Sequence, residues 1–181
     1  MSEINIIKKR FIIILVLLFQ SINLIAQETN TDYPVRGYRG FVDGNLGIGV
    51  YDGIFVKTSF STSHGFQFNP KHYLGLGLDS QFYLYQDDGW WIDYYEPLFI
   101  DFRIDFNPDA KSKFLDLRFG CNFSTGYYTE VSYGFRIKKL NLAIGYSTLY
   151  DGYGLISGFA DGLHSLFLKV GLDFGARSVQ E

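Results

Sequence analysis

Cysteine and proline are scarce, and helical periodicity is missing. Cys121 is the only cysteine in 181 residues, so neither an intramolecular disulfide nor a thiolate metal cluster can form. The four prolines leave long stretches free to hydrogen-bond, and Pro70 and Pro108 both fall in polar turns between apolar segments. After residue 26 no segment keeps apolar residues at i, i+3, i+4 and i+7 for three turns, and no unbroken apolar run approaches the roughly 20 residues that a spanning helix needs. Helical bundles and helical membrane anchors are therefore set aside. Basic charge is also thin. Residues 1–26 hold three of the sixteen basic residues and one of the nineteen acidic ones; without them the net charge is −5, which offers nucleic-acid phosphates little attraction.

The N-terminus reads as a secretory signal peptide. Lys8, Lys9 and Arg10 precede the apolar run Phe11 to Phe19, hydrophobicity falls at Gln20, Ser21 and Asn23, and cleavage is expected after Ala26. No cysteine follows the run to carry a lipid. Residues 27–36 read as an extended lead-in, 37–175 as one barrel domain and 176–181 as a tail.

Plentiful aromatics (19%) and period-2 alternation replace what is missing. From Tyr38 to Phe174 the chain repeats, about eight times, a segment in which every second residue is large and apolar, as in Leu74, Leu76, Leu78 or Leu166, Leu168, Val170, Leu172. The interior of an eight-stranded barrel holds about three layers of four side chains. So many bulky groups cannot fit there, and they must point outward into lipid. The predicted architecture is an all-β, transmembrane, up-and-down antiparallel barrel of about eight strands. Turns are expected at 51–53, near Pro70 and Pro108, and at Lys138–Lys139, with long loops at 86–96 and 151–162. An even strand count puts both termini on one side, and short periplasmic turns with longer outer loops would orient the chain. Tyr51, Tyr85, Trp90, Trp91, Tyr94, Tyr95, Tyr127, Tyr128 and Tyr150 are expected at the outer rim, with Phe66, Phe68, Tyr73, Phe106, Phe114, Phe135 and Phe174 toward the periplasmic one.

The intervening face carries Gly, Ser and balanced charge. Arg39, Lys57, Arg103, Arg118, Arg136, Lys138 and Lys169 stand against Asp43, Asp79, Asp101, Asp105, Asp116, Glu130 and Asp173. Unpaired charge in a narrow cylinder is costly, so these groups are expected to form a salt-bridge network that fills the lumen.

Catalytic chemistry finds little support at this level. Ser63-His64 and His164-Ser165 are adjacent pairs, whose side chains leave a strand on opposite faces. Neither can form a Ser/His dyad, and the His-x-Ser spacing of barrel deacylases acting on lipid A is absent. His64 and His72 flank the Pro70 turn but supply too few ligands for a closed metal site. Asp87, Asp88 and Asp93 could draw a divalent cation but read as a solvated loop. No cofactor is expected.

Three stretches carry a resemblance: Arg39-Gly40-Phe41-Val42, then His64 to Pro70 with Leu74-Gly75-Leu76-Gly77, and the closing Leu168 to Phe174. They resemble the small outer-membrane β-barrels of Gram-negative bacteria, grouped as porin-family or OmpX/OmpA-like. The resemblance implies outer-membrane location and recognition by the barrel-insertion machinery. It covers adhesins and stability factors, so the leading expectation is a non-enzymatic barrel. Its lumen would be closed, and Trp90, Trp91, Tyr94 and Tyr95 would contact extracellular or envelope partners. A small diffusion channel or transporter is the alternative, and a soluble lipocalin-like carrier the third reading.

Overall fold

The computed structural model describes residues 36–51, 53–86, 90–107, 111–122, 126–150 and 162–175. The expected signal peptide, most of the lead-in, the tail and the segment 151–161 lie outside them. The strands are β1 (Gly37–Val50), β2 (Ile54–Asn69), β3 (His72–Gln86), β4 (Trp90–Tyr95), β5 (Pro97–Asp105), β6 (Lys111–Asn122), β7 (Gly126–Ile137), β8 (Leu140–Tyr150) and β9 (Gly162–Phe174). Every pairing is antiparallel, the order is β2-β1-β9-β8-β7-β6-β5-β3-β4, and β2 also pairs with β3, which closes the sheet. The result is the transmembrane up-and-down barrel that the alternation predicts.

The barrel has eight staves because β4 and β5 form a single one. Gln81 pairs with Tyr95 and Leu78 with Leu98, three positions apart on each strand, so both segments keep one register against β3. Only Glu96 separates them. Pro97 cannot donate to a ladder, and at the break the Glu96 amide donates instead to Asn122 Oδ1, 3.3 Å away. The loop expected at 86–96 is thus corrected over its described residues: Trp90–Tyr95 form a strand paired antiparallel with β3 beyond the end of β6, a hairpin arm, and residues 87–89 lie outside the described residues.

Alternation decides what meets lipid. Leu46, Ile48, Leu76, Leu166 and Leu168 are about 60% exposed, an apolar display that water would penalise and acyl chains accept. The residues between them are buried in the lumen, where glycines accommodate large rings. Phe41, Phe55, Tyr73, Tyr83, Phe99, Phe114, Tyr128 and Phe167 all point inward. Tyr73 and Phe114 therefore leave the periplasmic girdle proposed for them and Tyr128 the outer one, whereas Phe66, Phe68, Phe106 and Phe135 are exposed. Lys138 likewise leaves the lumen: it is exposed in the two-residue turn between β7 and β8, with φ of 57°.

Candidate functional site

The lumen charges fall into three layers. Nearest the termini, Arg39 bridges Asp105 at 2.6 Å and Asp173 at 2.7 Å, while Arg136 and Arg103 reach the same Asp105 at 2.9 and 3.5 Å. Arg39 also donates to Gln67 and Arg103 to Asn141, both at 2.7 Å, and the Arg103 guanidinium lies 3.5 Å over the Phe114 ring. In the middle, Arg118 binds Asp43 and stands 3.5–3.8 Å from Asp116, Glu130 and Asp101; Lys169 bridges Asp116 at 2.9 Å and also Glu130. Toward the hairpin arm, Lys57 donates to Ser147 at 2.7 Å beneath the rings of Tyr83, Tyr128 and Phe167. Asp79 there accepts from Gln81 at 2.6 Å. Above this layer Phe55, Tyr83, Phe99, Tyr128, Leu149 and Leu163 pack together, with Tyr85 and Tyr95 against them. Most of these groups are paired with one another across the lumen.

The arm's aromatics do not form one patch. Trp91 and Tyr94 are exposed, whereas Tyr95 turns inward onto Tyr83, with ring centroids 5.5 Å apart. Tyr94 leans on Phe82 on the opposite face. The side chain of Trp90 lies outside the described residues.

The arrangement with chemical potential is on the outer wall. On β2, even-numbered residues face outward, so Thr62 and His64 share the lipid face two positions apart, while Ser63 between them is buried in the lumen. Thr62 Oγ1 lies 3.0 Å from His64 Nε2, and Tyr38 Oη lies 2.6 Å from His64 Nδ1. β1 supplies Tyr38, whose ring stacks on the imidazole at 6.2 Å. β9 supplies Phe174, edge-on to the imidazole at 5.7 Å. Gly40 lets it do so, because Gly40 pairs with both His64 and Phe174, and a Cβ there would stand 2.7 Å from the Phe174 ring. Three adjacent staves thus build a half-buried imidazole held between two hydroxyls.

A second outward imidazole lies at the other end. Tyr146 Oη is 2.6 Å from His164 Nδ1, and Tyr150 meets the same ring edge-on at 6.0 Å. The nearby hydroxyls Thr148 and Thr129 bond each other at 2.7 Å. His72 stands apart from both clusters, bonded to Asn69 and stacked on Phe102. The sequence argument about Ser63 and Ser165 holds in the structure. The same parity brings threonine in: Thr62-x-His64 is itself a same-face hydroxyl–imidazole spacing.

No family model matches the chain, and no curated protein does. Among solved structures it is similar to the outer membrane enzyme PagL, with a TM-score of 0.51 and 12% identity over 73% of this chain and 98% of that one. The likeness shows the fold. It also corrects the expectation of a non-enzymatic barrel, which rested on the roles of small barrels and on the missing His-x-Ser spacing. The matched barrel is an enzyme. At this identity no residue role transfers, so any chemistry has to come from this chain's own side chains.

Proposed function

We propose that the protein is an outer-membrane barrel enzyme that cleaves carboxylic esters of membrane lipids at Thr62, His64 and Tyr38. The observation that carries this reading is the pair of contacts on one imidazole, 3.0 Å to the Thr62 hydroxyl and 2.6 Å to the Tyr38 hydroxyl, on a wall that faces acyl chains. A nucleophile, a base within hydrogen-bond reach and a third group that orients the base are what acyl transfer requires. Ionisable side chains facing lipid are also costly unless they have a role.

The proton inventory follows from the geometry. With the imidazole proton on Nδ1 and donated to Tyr38 Oη, Nε2 accepts the Thr62 proton as Oγ1 attacks the ester carbonyl. The carbon–oxygen bond to the lipid alcohol breaks, and Nε2 returns that proton to the leaving oxygen. Water, activated by the same nitrogen, then hydrolyses the Thr62 ester and releases the fatty acid. Phe174 and Tyr38 wall the imidazole and fix its plane. The termini lie in the periplasm in this reading, and β9, ending at Phe174, presents the alternating strand that the barrel-insertion machinery takes up.

The test is fatty-acid release by the purified barrel in bilayers of ester phospholipid, measured by mass spectrometry, with ether-linked lipid as the control. His64→Ala and Thr62→Ala should each lower release by about 10³-fold or more. Thr62→Ser should retain activity, and Tyr38→Phe should cost about tenfold because it only orients the base. Equal release by His64→Ala and the parent protein overturns the assignment, as does an inert parent protein.

A further inference from the structure

Among the described residues, the exposed lysines gather at one rim. Lys71, Lys111, Lys113, Lys138 and Lys139 are the exposed lysines among the described residues, and all of them stand at the end of the barrel that carries the termini. At the arm end the described acidic groups outside the lumen are Asp93, which is exposed, and Glu96. Lys57 and Lys169, the other two described lysines, are buried in the lumen. Among the described residues, exposed lysine is thus confined to one end.

The Tyr38–His64 site belongs to that end. Tyr38 is the second residue of β1 and Phe174 the last of β9. His64 precedes Asn69, the last residue of β2, by five positions; at about 3.3 Å per residue and about 40° tilt it lies roughly 13 Å from the turn. Lysines flank it on both sides. Lys71 occupies the β2–β3 turn, its amide donating to Asn69 Oδ1 at 2.9 Å. Lys139 is tied to the end of β9, its carbonyl accepting from the Asp173 amide at 2.8 Å. In a glycerophospholipid the phosphate lies a few ångströms to the water side of the acyl esters. A lipid whose phosphate met Lys71, Lys138 or Lys139 would direct its ester-linked chains down the wall that holds Thr62 and His64.

Connection lengths give the leaflet. Between strands, the termini end has connections of two, five and two residues (70–71, 106–110 and 138–139), whereas the other end has three of three residues (51–53, 87–89 and 123–125), the second of which joins β3 to β4, and one of eleven (151–161). Short turns belong to the periplasmic side. We infer that the lysine collar binds the phosphates of anionic glycerophospholipids in the periplasmic leaflet and presents them to His64, which makes that class the substrate. This rests on the esterase reading only for its last step, because headgroup binding stands on the collar alone.

Lipid selectivity tests it without turnover. The barrel and its His64→Ala variant are placed in phosphatidylcholine bilayers holding spin-labelled phosphatidylglycerol or spin-labelled phosphatidylcholine, and the motionally restricted fraction of each label is compared. Phosphatidylglycerol should be favoured about tenfold, equally in both proteins. The favour should vanish in K71Q/K138N/K139Q, where Asn at 138 tolerates the positive φ, with folding checked by heat-modifiable gel mobility. Equal association of the two lipids with the parent protein overturns the inference, and so does a preference that survives the triple variant. Millimolar inorganic phosphate should leave the preference intact; if it abolishes it, the collar is a site for free phosphate and the lipid assignment is wrong. A preference retained by a protein that releases no fatty acid sinks the esterase reading alone.

Discussion

Glycine and large rings share the lumen wall by position. A Cβ on Gly145 would stand 2.4 Å from Phe167 Cζ and 2.7 Å from both Ser132 Cβ and the Val131 carbonyl oxygen, and one on Gly77 would stand 2.3 Å from Phe99 Cζ. Rings from neighbouring staves therefore press their edges against backbone that has no side chain. The many glycines of the polar face read from sequence as a sign of a tight lumen; the inward rings they accommodate were hidden there by the stronger outward apolar pattern. Gly145→Val should destabilise the barrel by about 1–3 kcal/mol in urea titrations of folding into lipid, because Phe167 is held by packing and the carbonyl by its ladder. In a Phe167→Leu background the same substitution should cost less, since the ring edge it meets is gone. Equal costs in the two backgrounds would show that the backbone contacts, and not the ring, set the penalty.

Parity along a strand was the most legible property of the elements, and it also located the site. It separates Ser63 from His64 and, by the same rule, joins Thr62 to His64. Register across strands is a different matter. That Tyr38 and Phe174 flank His64 depends on β1 pairing with both β2 and β9, which local sequence does not state. The 86–96 segment departs from its sequence pattern for a related reason: Asp87-Asp88-Gly89 and the neighbouring aromatics break alternation, yet β3 holds Trp90–Tyr95 in the register of β5. Among the described residues the β4 ladder pairs only with β3. Amides of β4 should therefore exchange with deuterium well before those of β5, which is paired on both edges. Matching protection factors for 91–95 and 98–104 would mean that the arm is covered by another element.

At the scale of the whole barrel, the alternation fixes two environments, and the lumen's contents decide whether water can cross. Asp105 alone gathers Arg39, Arg103 and Arg136 from three staves, and Arg118 and Lys169 gather carboxylates from β1, β5, β6 and β7. Such pairs are strongly held once desolvated, because removing one partner leaves the other buried and uncompensated. Across the arm end the cluster of Phe55, Tyr83, Phe99, Tyr128, Leu149 and Leu163 adds an apolar layer that ions would have to dehydrate to pass. A diffusion channel needs a continuous wet path, which would have to pass both the paired charges and this apolar layer. Charge balance in the sequence pointed to the network but not to this cap, since its residues lie on the face that alternation marks as polar. The purified barrel in planar bilayers should therefore give no stable single-channel current. Opening the cap alone, with Phe99→Ala and Tyr128→Ala together, should still give none, because the arginine layers below remain closed. Steady currents from the parent protein would show that these layers part in the bilayer, and steady currents from the double variant alone would assign the seal to the aromatic cap.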